Sequence, residues 1–168
     1  TYRPQEERML AVTLLRDINS FAPMRLYIRW QVTHEEDDDL CDNAIESLDE
    51  MGEAAVPEML KALDDADDRA QEALLSVLSR YPGDERIYQG LIRLFILDPE
   101  RRGILAAYLG RLGDNRALPI LMEAAASEET NYLDFIELRS AIEGLGGEAP
   151  AREFDEDAQY NALFGPED

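Results

Sequence analysis

His34 and Cys41 are the only histidine and the only cysteine of this 168-residue chain. A serine or cysteine nucleophile that depends on histidine would have to use His34. One cysteine can form neither an intramolecular disulfide nor a zinc site built from several thiolates. Lone residues of these types are more often a solvated histidine and an ordinary helix cysteine. The sequence therefore predicts no catalytic residue, no metal and no cofactor.

Carboxylates are the other abundant reactive groups. The segment DDADDRAQE at residues 64–72 superficially resembles a calcium loop, but it lacks the central glycine and the ligand spacing of an EF-hand. A capped turn between helices is the favoured interpretation. Acidic residues occur throughout the chain, so no pair stands out as the acid and base of a glycosidase. These observations predict that the protein is not an enzyme.

The charge balance restricts the partners. Asp and Glu number 37 against 16 Lys and Arg, which gives a net charge of −21 and a pI near 4.2. Nucleic acids and anionic membranes would be repelled by such a surface, so we predict neither as a partner. The chain has no apolar run near the roughly 20 residues that span a bilayer, and residues 1–19 do not resemble a signal peptide. A cytoplasmic location is predicted.

The acidic residues are concentrated in one part of the chain. Residues 35–68 contain 15 acids and a single base, Lys61. We call ten of these acids the acidic ridge: Glu35, Glu36, Asp37, Asp38, Asp39, Asp42, Asp64, Asp65, Asp67 and Asp68. If turns stack in successive repeats, these carboxylates lie on one edge and complement a basic protein surface. Helix capping with solubility, and adaptation to high salt in a chain with one lysine, are alternative explanations.

Glycines mark an internal repeat. Gly52, Gly83, Gly113 and Gly146 are separated by 31, 30 and 33 residues. Apolar residues recur at fixed offsets from them: Leu48, Leu109 and Ile142 four residues before the glycines, with Leu78 fitting after a one-residue insertion at 81–83, and Val56, Leu60, Ile87, Leu91, Ala117 and Leu121 after them. Each unit is thus predicted to be a helix, an acidic turn, a second helix and a glycine turn, with glycine supplying a left-handed backbone conformation.

Helices are predicted over residues 4–19, 23–33, 38–51, 54–64, 67–80, 85–97, 99–111, 115–126 and 131–145. Residues 24–32 alternate like a strand when they are considered alone, but the repeat favours a helix there. Asp98 before Pro99 is predicted to cap a helix, and Asp67, Asp68 and Asp114 place negative charge at helix starts. A single helix could not bury its apolar stripe alone, so the units are expected to stack.

Residues 109–146, which begin LGRLGDNRALPIL, resemble the HEAT-like repeat of phycobilisome lyases, and MGEAAVPEML at residues 51–60 is a second match. The resemblance implies an all-α fold, a right-handed α-α superhelix of about four to five antiparallel helix pairs. It also implies that second helices line an inner groove. The groove candidates are Asp42, Glu46, Arg69, Glu72, Arg101, Arg102, Tyr108 and Arg139.

Residues 1–147 are predicted to form one repeat domain, with a degenerate repeat at 1–36 and clearer repeats at 37–147. Residues 148–168 are predicted to be an acidic tail or a cap on the last repeat. The resemblance implies an adaptor or scaffold that binds a protein partner, and self-association is compatible with it. A lyase-like or chaperone-like factor that assists cofactor attachment to another protein is the alternative.

Overall fold

The computed structural model describes residues 45–46, 48–64, 66 and 68–165, and the described residues form helices and turns without any strand. The helices predicted over 4–19 and 23–33, and most of the one over 38–51, lie outside this range. The chain divides into two compact units, residues 1–81 and 82–168, which we describe separately. The prediction of an all-helical fold is confirmed, whereas the domain boundary and the superhelix remain predictions.

The first unit contains one packed helix pair in its described part. A 3-10 turn, Gly52–Ala55, leads into α1, Val56–Leu63, and α2 follows as Asp68–Leu78. Leu48, Leu74 and Leu78 are fully buried. The repeat pattern placed Leu60 in the core, but Leu60 is half-buried and Met59 is completely buried instead.

The second unit contains two helix pairs and a short terminal helix. Its elements are α3, Glu85–Leu97; α4, Arg102–Leu112; α5, Leu118–Ala126; α6, Tyr132–Gly144; and α7, Ala158–Phe164. Short 3-10 turns, Pro99–Arg101 and Asn115–Ala117, precede α4 and α5, where the sequence had predicted uninterrupted helices. The residues predicted to be buried in this unit, including Ile87, Leu91, Leu109, Leu121 and Ile142, are at most 1% exposed.

The four glycines that define the repeat are also the four described glycines with a positive φ. Their φ angles lie between 67° and 88°. Gly113 shows the reason most clearly: it ends α4 with φ 77°, and its amide donates to the Leu109 carbonyl 3.2 Å away. A side chain at such a position would be strained. The predicted left-handed turns are therefore confirmed.

Helices α4 and α6 pack side by side at small residues. A Cβ added to Gly103 would lie 2.6 Å from Oδ1 of Asp134, and one added to Gly110 would lie 3.0 Å from Cβ of Ala141. Both contacts join residues 31 positions apart, so equivalent helices of successive pairs run alongside each other. The two ends of α4 therefore lie beside the corresponding ends of α6. This contact defines two opposite edges of the second unit.

Candidate functional site

We call one of these edges the glycine edge; it comprises residues 83–88 and 113–117. Asp84 and Arg86 form a paired ionic contact, with Arg86 Nη2 donating to Asp84 Oδ2 at 2.7 Å and Nε donating to Oδ1 at 3.1 Å. Asp114 and Arg116 repeat this arrangement, with Nη2 of Arg116 2.7 Å from Oδ2 of Asp114. Each aspartate also accepts the backbone amide of its arginine, as helix-capping residues do.

Arg116 also links the two helix pairs of the second unit. Its Nη2 donates to Glu85 Oε2 at 2.7 Å, and its guanidinium carbon lies 4.1 Å from the centre of the Tyr88 ring. The Arg116 guanidinium holds the pKa of Asp114 and that of Glu85 below their ordinary values, and Arg86 does the same for the pKa of Asp84. The acids of this edge are therefore already satisfied by cations of the same edge.

The opposite edge, which we call the inter-helix edge, comprises residues 96–104, 127–133 and 152–164. Its three arginines point inward. Arg101 Nε donates to Asp98 Oδ2 at 2.7 Å, Arg102 Nη1 donates to Thr130 Oγ1 at 2.8 Å, and Arg152 Nη1 donates to the Thr130 carbonyl at 2.8 Å. The predicted cap at Asp98 is wrong, because its carboxylate accepts from the Arg101 side chain and from no backbone amide of the following turn.

Exposed acids and apolar groups occupy the outer surface of the inter-helix edge. Six carboxylates are exposed, and within the described part of the chain none forms an ion pair: Glu100, Glu128, Glu129, Glu153, Asp155 and Glu156. Six of the seven exposed large hydrophobic side chains in that part also lie here: Ile96, Leu97, Ile104, Leu133, Leu163 and Phe164. The other is Met122, near the middle of α5. This edge therefore presents negative charge beside apolar surface.

Residues 148–165 pack against the start of α6. The Phe154 ring is buried, and its centre lies 5.3 Å from that of Tyr132 and 5.0 Å from that of Phe135. Arg152 lies over Phe154, with its guanidinium carbon 4.6 Å from the ring centre. Asp157 Oδ2 accepts the Tyr132 amide at 3.0 Å, and hydrogen bonds from the backbone of α7 hold the pKa of Asp157 below its ordinary value. The segment thus covers part of α6.

A polar cleft of about 730 Å³ lies beside this contact. It is lined by Glu128, Arg152, Glu153, Phe154, Asp155, Glu156, Asp157 and Ala158. Among the described residues, no group of three or more His, Cys, Asp or Glu side chains is placed to hold a metal ion. Across the same residues, no helix is long and apolar enough to cross a membrane.

Only part of the acidic ridge can be located. Asp64 follows the last residue of α1, and Asp68 is the first residue of α2; both are exposed in the same turn, and both take part in other interactions. The other members lie outside the described residues: Glu35, Glu36, Asp37, Asp38, Asp39, Asp42, Asp65 and Asp67. The ridge as a whole therefore remains a prediction.

The groove candidates differ from one another in how exposed their side chains are. Glu46 and Arg139 are exposed, and Glu72 is half-buried. Arg69 lies in α2, but its side chain is outside the described part of the structure, and so is Asp42. The remaining three, Arg101, Arg102 and Tyr108, are half-buried or buried, with Tyr108 at 8% exposure. Those three side chains contribute to packing within the second unit.

The Asp84–Arg86 ionic contact of the glycine edge was not predicted from the sequence. The motif Gly-Asp-x-Arg occurs at residues 83–86 as well as at 113–116, although the unit around Gly83 resembles the repeat only weakly elsewhere. Aligning the two motifs would have predicted both aspartate–arginine pairs. No comparable signal predicts the contact of Arg152 with Thr130 or that of Phe154 with Phe135, because these partners are 22 and 19 residues apart in the sequence.

Residues 102–127, which span α4 to α5, match the family model of the PBS lyase HEAT-like repeat. A comparison with curated proteins finds no match to the chain. The matched segment contains Gly113, the Asp114–Arg116 pair and Gly110 of the α4–α6 contact. The chain therefore carries a HEAT-like repeat, as its sequence predicted, and the matched segment includes residues of both edges described above.

Proposed function

We propose, on the premise that the chain carries a HEAT-like repeat at residues 102–127, that the protein is a non-catalytic scaffold that binds a basic protein surface through the acidic ridge. The repeat is the observation that carries this proposal. Helix pairs α3–α4 and α5–α6 bury one face each against one another. Their outward faces and turns are then available for a partner, as in other stacked helical repeats.

The charge of the chain supports a basic partner. A net charge of −21 with 15 acids in residues 35–68 creates a strongly negative local potential. Such a potential accelerates encounter with a positive surface and disfavours acidic competitors. Asp64 and Asp68, the two ridge residues that the structure describes, are both exposed. The proposed binding should therefore weaken as salt screens the charges.

A lyase-like role would require a pocket that retains a chromophore. The cleft beside Arg152 has sufficient volume, about 730 Å³, but six of its eight lining residues are ionisable. Pockets for drug-sized organic ligands are usually lined mainly by apolar and aromatic side chains. The scaffold is therefore the function that we favour.

The experiment begins with capture of basic proteins from source cells on the full chain, followed by purification of the captured protein. Its dissociation constant is then measured for the wild type and for two variants with the same change in charge. The ridge variant carries Asn at Asp37, Asp38, Asp39, Asp64 and Asp68. The control carries Gln at five exposed glutamates outside the ridge: Glu53, Glu123, Glu137, Glu143 and Glu148.

We expect the ridge variant to bind at least about tenfold more weakly than the control at low salt, a difference of roughly 1.4 kcal/mol. The difference should shrink at physiological salt, where the Debye length is about 8 Å. Equal affinities of the two variants would contradict the proposal and leave the ridge acids with solubility or salt adaptation as their role.

A further inference from the structure

We propose that the inter-helix edge of the second unit docks an amphipathic basic segment of a partner protein. This inference rests on the proposed function as a protein scaffold, but it uses residues outside the acidic ridge. The segment would place apolar side chains on Leu97, Leu133 and Leu163 and would direct lysines or arginines toward the surrounding carboxylates. Three observations support this choice of occupant.

The first observation is the apolar surface. Leu97, Leu133 and Leu163 are 73%, 50% and 59% exposed, and Phe164 is 60% exposed. They lie at or near the ends of three different helices, α3, α6 and α7. Concentrations of exposed apolar side chains on soluble proteins commonly mark interaction sites, whereas single exposed residues do not. The distribution is uneven, since Met122 is the one exposed large hydrophobic residue among those described that lies elsewhere.

The second observation is that the arginines of this edge point inward, whereas its exposed carboxylates lie on the outer surface. Arg101, Arg102 and Arg152 donate to Asp98, to Thr130 and to backbone carbonyls, so their cations serve internal contacts. Exposed carboxylates at Glu100, Glu128 and Glu153 have no ion-pair partner in the described part of the chain. A partner that approaches this edge therefore meets negative charge around apolar groups, and a cationic rim on the partner complements it.

The third observation is the contrast with the glycine edge. There, Arg86 pairs with Asp84, and Arg116 pairs with both Asp114 and Glu85, each at 2.7 Å. Charge at that edge is satisfied within the unit, and none of the exposed large hydrophobic residues lies there. The same repeat thus produces one edge whose carboxylates are paired and one edge whose exposed carboxylates have no ion-pair partner among the described residues and lie beside exposed apolar side chains. Amphipathic helices bind such surfaces through apolar residues spaced by three or four positions.

The test uses the full chain and a fluorescent synthetic helix of about 16 residues, with leucines at helical spacing and lysines elsewhere. Two further peptides serve as references: one with serine in place of every leucine, and one with glutamate in place of every lysine. Dissociation constants are measured by fluorescence anisotropy at low and physiological salt. Light scattering on the protein alone reports whether it self-associates.

Five protein variants separate the possible sites. An apolar-edge variant carries Leu97→Ser, Leu133→Ser and Leu163→Ser, and Met122→Ser is its control. A charged-edge variant carries Gln at Glu100, Glu128, Glu129, Glu153 and Glu156. The ridge variant defined above is included, and its five-glutamate control matches the charge change of both. Thermal unfolding of each variant verifies that the fold is retained; a variant that unfolds is replaced by its single substitutions.

We expect the apolar-edge variant to bind the Leu/Lys peptide about tenfold or more weakly at both salt concentrations, while Met122→Ser and the ridge variant bind like the wild type. The charged-edge variant should bind more weakly than the five-glutamate control at low salt only. Both reference peptides should bind poorly.

Several results would overturn the inference. One is that the Leu/Lys peptide does not bind the wild type, and another is that the apolar-edge variant binds it as tightly as the wild type does. A third is self-association of the wild type that the leucine substitutions abolish, because a second copy of the chain would then be the occupant. Loss of binding in the ridge variant alone would also overturn it but would leave the proposed scaffold function standing. Weaker peptide binding by the apolar-edge and charged-edge variants, with unchanged binding by the ridge variant, would support the inference independently of the acidic ridge.

Discussion

The two edges of the second unit are formed by the same helices and differ in how their charges are used. At the glycine edge, Asp84 and Asp114 accept both a backbone amide and an arginine side chain. At the inter-helix edge, Asp98 occupies a similar place before a 3-10 turn but accepts only from Arg101. The difference shows that aspartates placed alike before two 3-10 turns of one unit can make different hydrogen bonds, one with a backbone cap and one without it.

Separating α4 from α6 at Gly110 should have the largest effect on stability. Gly110→Leu would force a side chain into Ala141, whose Cβ would lie 3.0 Å from the new Cβ. We expect a loss of about 3 kcal/mol in the free energy of unfolding, because overpacking displaces the backbone. Gly90→Ala is the control: its Cβ would meet nothing within 4 Å, so the same measurement by urea denaturation should show a gain of about 0.5 to 1 kcal/mol.

Removing Arg152, an inward-pointing cation of the inter-helix edge, should have the next largest effect on stability. Arg152→Ala would leave the Thr130 carbonyl without its charged donor and would remove the contact over Phe154. We expect a loss of about 2 kcal/mol in the free energy of unfolding. Hydrogen exchange should show faster exchange of the Tyr132 amide, which Asp157 holds through the same segment. Unchanged exchange there would mean that residues 148–165 do not depend on Arg152 for their position.

The two edges can be compared directly at their aspartates. Asp114→Ala removes a backbone cap and should lower the free energy of unfolding by about 1 kcal/mol. Asp98→Ala removes a side-chain contact to Arg101 without a backbone cap, so it should cost less than Asp114→Ala. Urea denaturation of the two variants under one condition measures the difference. Equal losses would remove the distinction that we draw between the edges.

Acid should reduce the contribution of Asp114. The Arg116 side chain lowers the pKa of Asp114 in the folded protein from its ordinary value of 3.8, so the stabilisation is fully present above that value and is lost as the pH falls through the lowered pKa. The stability difference between the wild type and Asp114→Asn should therefore narrow below about pH 4. Glu123→Gln, which removes an exposed carboxylate of α5, provides the comparison. A difference that stayed constant to about pH 2 would contradict the assigned cause.

Local patterns were sufficient to place α3 to α6 and the glycine turns of the second unit, but they did not predict its two 3-10 turns. Gly83, Gly113 and Gly146 have a positive φ because a helix that reverses direction over so few residues requires a left-handed position, and only glycine adopts it without strain. The helix predicted over 85–97 agrees with the structure at both ends. The apolar offsets predicted the buried residues there because the helical period brings every third or fourth residue to one face.

Two details differ from the sequence prediction. Leu60 is half-buried, although Leu121 at the same offset and also after a 3-10 turn is fully buried, so the offset alone does not decide burial. Asp98 precedes a 3-10 turn that brings Arg101 to its carboxylate, which an uninterrupted helical pattern does not represent.

The groove candidates rest on the resemblance, which places second helices on an inner surface. In the second unit Arg102 is half-buried and Tyr108 is 8% exposed, and the groove itself stays a prediction.

The sequence by itself determined the repeat length, the glycine turns, the helical class and the sign of the surface charge, because these depend on residue type and on spacing over about 30 positions. Only the tertiary structure decided which cations pair within the unit and which apolar groups stay exposed. Those outcomes depend on the approach of α4 to α6 at Gly103 and Gly110 and on the packing of Phe154 against Tyr132 and Phe135. Contacts of this kind join distant parts of the chain, so no local pattern records them.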